Sequence, residues 1–172
     1  MTESAIMIAL RLVHIISGVL WVGAVYFLAL FLVPSVRAAG PGGAQIMQEL
    51  MKRRLPVYLA GLPGLAVLSG LTMYLRASML THWQFPHTPQ GTALAIGGTF
   101  ALIGMIIGGA VTGRTAEALT NLGARIQLAG GSPSPEQMQD VQRLQAKLQT
   151  SSRLVAAILF VTLCMMASAR YL

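Results

Sequence analysis

Arg11 and His14 lie three positions apart inside an otherwise apolar stretch, which puts them on one face of a helix. Ionisable groups in such a stretch are costly, so each is a candidate for function. An imidazole can offer one ring nitrogen to a metal or a haem iron. A guanidinium suits propionates, phosphates or carboxylates. Gly18 and Trp21 continue the same line at helical spacing, with Ser17 at its flank. The plain alternative for His14 is a neutral ring bonded to a neighbouring Ser, Thr or backbone carbonyl.

A second group follows at His82-Trp83-Gln84-Phe85-Pro86-His87, with Met73 and Met79 just before it. Imidazole together with thioether suits copper, and Met favours Cu(I). Trp83 and Phe85 also fit an interfacial aromatic belt. Arg76 and Arg170 belong at the same end as Arg11, where Glu3 is the only acid. Such a cationic group needs an anion: lipid phosphates, a partner's carboxylates or haem propionates.

The surrounding composition sets the class. Of the 172 residues 55% are hydrophobic and only 10% charged, against about 25% charged in an ordinary soluble domain. Mean hydropathy is +0.67. Four apolar runs stand out, at about residues 6–33, 55–75, 92–112 and 154–169. The first three reach the roughly 20 residues that a spanning helix needs, and the helix of the short last run is free to extend backwards into the polar segment before it. The second carries Pro63, where a kink is expected. The first begins with Glu3 rather than basic residues and is too long for a signal peptide, so it is expected to remain. The reading is an all-α integral membrane four-helix bundle forming one domain over residues 1–172.

Loop charges set the orientation. Arg37, Lys52, Arg53 and Arg54 fall between the first two runs; Arg114, Arg125, Arg143, Lys147 and Arg153 fall between the last two. By the positive-inside rule both loops are cytoplasmic and both termini face outward, in a cytoplasmic (inner) membrane. If the core begins near Ile6, Arg11 lies about 8 Å deep and His14 about 12 Å. Arg11 can snorkel back to the surface, whereas His14 is too short to do so.

The polar segments also have helical character. Leu119, Leu122 and Ile126 recur at helical spacing, as do Val141, Leu144 and Leu148, around a turn at Ala129-Gly-Gly-Ser-Pro-Ser134. Ser134, Pro135 and Gln137 read as N-cap, first-turn proline and capping box. Spans three and four are therefore expected to project as a cytoplasmic hairpin over about residues 113–153, with arms of about 16–20 residues. Ile46, Met47, Leu50 and Met51 make an apolar face ending in Lys52-Arg53-Arg54, suited to a helix on an anionic leaflet. Gly104-x3-Gly108, Gly109-x3-Gly113 and the Gly61, Gly64, Gly70 set allow close helix approach.

Several functions are excluded. All five acids lie outside the apolar cores, so no intramembrane carboxylate serves a proton-coupled transporter. Four short spans also fall short of a broken-helix inverted-repeat transporter. There is no Walker loop, dinucleotide fingerprint, HExxH or Ser/His/Asp set. A single Cys164 rules out a disulfide framework within one copy and a cysteine metal cage. Nucleic-acid binding is a poor reading because the bases serve as topology signals.

The stretch Leu12-Val13-His14-Ile-Ile-Ser17-Gly18-Val-Leu-Trp21-Val22-Gly23 resembles the first helix of small bacterial four-helix membrane proteins of the CopD-like and HemJ-like type. The resemblance covers about an eighth of the chain. It implies that His14 is the family histidine, associated with haem in HemJ-like proteins. Three functions are thus expected. In the first, His14 ligates a haem b or other tetrapyrrole near the outer face, with Arg11, Arg76 and Trp21 around it, in a redox or accessory role. In the second, the chain is a cofactor-free structural subunit that meets other membrane subunits, or copies of itself, through glycine faces and hairpin. In the third, His82, His87 and Met79 handle copper, with His14 as a further metal ligand. None of the three establishes catalysis.

Overall fold

In a computed structural model the described residues, 3–130 and 133–172, are helical apart from short turns. Residues 131–132 of the expected turn and the side chain of Glu3 fall outside what is described.

Helix α1 (Glu3–Phe27) passes through a π segment (Leu28–Leu32) into α2 (Val33–Ala38). Pro34 explains the widened turn: its ring would crowd the carbonyl four residues back, and it offers no N–H. Gly40 then breaks the rod with φ +57°. Helix α3 (Pro41–Lys52) folds back so closely that a Cβ at Gly43 would collide with the Val36 carbonyl. At its end Lys52 Nζ lies 2.6 Å from Glu49 Oε1, and that ammonium holds the Glu49 carboxyl below the usual carboxylate range.

Helix α4 (Leu55–Leu80) runs without a break through Pro63, which is buried. Helix α5 (Pro89–Ile107) starts at Thr88, whose hydroxyl accepts from Gly91 N at 3.0 Å. A second π segment (Gly108–Gly113) joins it to α6 (Arg114–Leu128). Helix α7 (Pro135–Ser168) opens on the expected capping box: Gln137 N donates to Ser134 Oγ at 3.2 Å and Ser134 N to Gln137 Oε1 at 2.9 Å.

Four helices are long and apolar enough to cross a membrane: Ser4–Ala38, Leu55–Leu80, Pro89–Leu128 and Pro135–Tyr171. Each is longer than its apolar run, because nothing ends a helix where hydropathy ends. They pack in a closed ring, α1 on α4, α4 on α5, α5 on α7 and α7 on α1. Trp21, Leu62, Ala66, Ala101, Val155 and Leu159 form the core. Large apolar side chains such as Ile16, Val19, Phe31, Leu68 and Phe160 point outward.

The close helix approach follows the expected glycines only in part, at Gly70 and Gly104, and adds Gly97. Gly97, Ala101 and Gly104 are among the buried small residues of α5, with Gly97 against Met165 and Gly104 against Leu159 and Ile158. Gly61, Gly64, Gly108 and Gly109 meet nothing nearby. Beyond the core, α6 pairs with α7 as the expected hairpin. Helix α3 packs on α2, α4 and α6, and Gln48 Nε2 donates to Gln127 Oε1 at 3.1 Å. Met47, Leu50 and Met51 are half-buried, so part of the apolar face expected on lipid is used within the protein.

Candidate functional site

The site is built where α1 crosses α4. Leu10, His14, Ser17 and Trp21 are the less exposed side of α1, while Leu12, Ile15 and Ile16 face away. His14 is half-buried, and its Nδ1 lies 2.7 Å from the carbonyl oxygen of Ala66. A carbonyl only accepts, so Nδ1 carries the proton and donates. In the neutral ring the lone pair is therefore on Nε2. No hydrogen bond to Nε2 exists among the described residues. The ring occupies the space above Gly70, where a Cβ would come within 2.7 Å of His14 Cε1.

Ala66 O is a shared acceptor. Ser69 Oγ reaches it at 3.2 Å, although its shorter bond, 2.5 Å, goes to Leu65 O. Ser17, beside His14 and buried, donates back to Val13 O at 2.6 Å. The plain alternative for His14, a bond to a backbone carbonyl, is thus present. It is also the arrangement in which a ligating histidine is held by its other nitrogen.

The other expected residues divide. Arg11 is exposed beside His14, and Arg76 is half-buried near the C-terminal end of α4. Trp21 is 5% exposed and belongs to the core with Leu62 and Leu159, away from any open face. Met79, His82 and His87 are all exposed. His82 and Trp83 both take positive φ, +49° and +65°, with Trp83 N bonded to Ser78 O at 2.7 Å. Phe85 folds onto Tyr74, ring centroids 5.5 Å apart, and pins this loop. His82 N donates to Met79 O at 3.2 Å, a backbone bond. Among the described residues no side-chain hydrogen bond links Met79, His82 and His87, and no group of three or more His, Cys, Asp or Glu could hold a metal ion. Two open clefts lie toward the opposite end, one along α3 and one between α5 and α7.

Sequence reasoning missed the Ala66 carbonyl and the particular role of Gly70. A backbone carbonyl has no residue-type signature, and Gly70 reads like every other glycine in these helices.

These features define an all-helical chain with four helices of membrane-spanning length and one histidine clasped between two of them. Comparison with protein-family models, with curated proteins and with solved structures found no significant match.

Proposed function

We propose that the chain is an integral membrane protein that holds a haem b or related tetrapyrrole through His14 near its outer face. Its four long helices cross the bilayer, both termini face outward, and α3 with the α6–α7 hairpin lies in the cytoplasm. The side-chain distribution supports insertion: alanines, serines and threonines make up most of the buried residues, around a few large ones such as Trp21, Leu62 and Leu159, while leucines, isoleucines and phenylalanines cover the outside, the arrangement lipid favours. The basic loops support the orientation. Reporter fusions test it: a periplasm-dependent reporter is expected to be active at both termini and silent at Gly123. Activity at Gly123 would overturn the topology.

One observation carries the ligand reading. The Nδ1–H bond to Ala66 fixes the tautomer and the ring orientation and leaves Nε2 as the acceptor nitrogen. Arg11 and Arg76 stand at the same end as partners for propionates. Haem held there would supply one-electron redox chemistry; the protein's part is to orient the imidazole and neutralise the acids. The expected result is a Soret band with dithionite-reducible α and β bands in gently purified protein, lost in His14→Ala. A flat spectrum from folded, membrane-inserted protein would overturn the tetrapyrrole reading.

A second reading, a cofactor-free subunit of a larger membrane complex, draws on Trp21. The aromatic residue nearest in sequence to His14 on this face is taken up by the core rather than left to stack on a ligand. In that reading His14 is a polar clasp between α1 and α4.

A further inference from the structure

The cleft between α5 and α7 lies beside the second π segment, with a volume of about 550 Å³. Ile107, Val111 and Leu154 make its apolar part, at the ends of the third and fourth apolar runs. Thr150 and Lys147 line it one and two helical turns earlier on α7 than Leu154. Both are exposed. Among the described residues no carboxylate pairs with Lys147 and no hydrogen bond engages the Thr150 hydroxyl. Ser151, by contrast, is buried and satisfied by Leu148 O at 3.2 Å. One open cleft thus joins an apolar wall to an unpaired cation and an unused hydroxyl.

We infer that this cleft binds one anionic phospholipid, a phosphatidylglycerol-type molecule. An acyl chain runs along Ile107, Val111 and Leu154, and the phosphate meets Lys147 Nζ and Thr150 Oγ. An amphiphile with this polarity fits because the apolar and charged parts meet where the apolar runs end, the level of lipid headgroups. Arg114, Arg143 and Arg153 add positive charge to the same region of sequence, which favours a net negative headgroup over a zwitterionic one. This inference rests on the membrane reading above.

The test is native mass spectrometry of the full chain in detergent, titrated with phosphatidylglycerol or phosphatidylcholine. Phosphatidylglycerol is expected to bind more tightly. Lys147→Ala should weaken it roughly fivefold, the effect of one basic residue near a headgroup, and leave phosphatidylcholine unchanged. Ala146→Trp, filling the cleft, should abolish the adduct, while Arg125→Ala on the far part of α6 should not alter it. Equal binding of both lipids, or an unaltered phosphatidylglycerol affinity in both Lys147→Ala and Ala146→Trp, would overturn the inference. Carbonate extraction of membranes distinguishes the two failures. Protein retained in the pellet with no lipid preference defeats only the cleft proposal; protein released to the supernatant defeats the membrane reading and the cleft proposal with it.

Discussion

Gly70→Ala is expected to destabilise the bundle by about 1–3 kcal/mol, as overpacking a filled site does. The new Cβ would stand 2.7 Å from His14 Cε1 and 2.9 Å from Nδ1, closer than real carbon contacts allow. Imidazole is short and rigid, so the ring must swing as a whole and give up its bond to Ala66 O. That leaves a ring N–H in apolar surroundings without its acceptor, which adds to the cost. Gly64→Ala is the control. Nothing lies within 4 Å of a Cβ there, so the gain in helix propensity leaves it neutral or slightly stabilising. Unfolding in mixed micelles by SDS titration measures both. A double-mutant cycle sharpens the result: with His14→Ala the clash disappears, so Gly70→Ala should cost little in that background. Equal stability of Gly70→Ala and Gly64→Ala would mean that His14 does not rest on Gly70. If His14 is a haem ligand, Gly70→Ala should also lower pigment retention while Gly64→Ala does not.

Leu159→Ala is expected to cost at least about 2 kcal/mol, within the usual range for a core leucine. Leu159 is fully buried, in a cluster with Trp21, Leu62, Ala101 and Val155, and its Cδ2 would lie 3.3 Å from a Cβ on Gly104. In lipid the transfer term is small, because acyl chains are as apolar as leucine. What remains is the loss of dispersion contacts around the cavity, so the effect should sit at the lower end of the range. Leu163→Ala, one turn further along α7 and 44% exposed, should change stability far less. The same unfolding assay compares them. A Leu159→Ala variant as stable as Leu163→Ala would place the bundle core elsewhere.

Much of this architecture was legible because its signals are local. Apolar runs identify the four long helices without reference to any neighbour. The Ser134–Gln137 capping box is complete within four residues, and both of its hydrogen bonds form where the sequence places them. Helix ends were less legible. Hydropathy marks where a helix is greasy rather than where it stops, so α4 continues to Leu80 and the first rod to Ala38.

The sequence by itself thus determined an all-helical chain with four membrane-length helices, a polar hairpin and a lone histidine in the first apolar run. Tertiary structure alone decided what that histidine touches. Which of many glycines lies beneath the imidazole, and which carbonyl takes its proton, depend on the rotation and register of α1 against α4. Those are set jointly by the four packed helices, through contacts such as Gly97, Ala101 and Gly104 against α7. The same packing turned Trp21 into the core and left Met79, His82 and His87 outside it. No short stretch of sequence carries that information, because the acceptor is backbone and the cradle is the absence of a side chain.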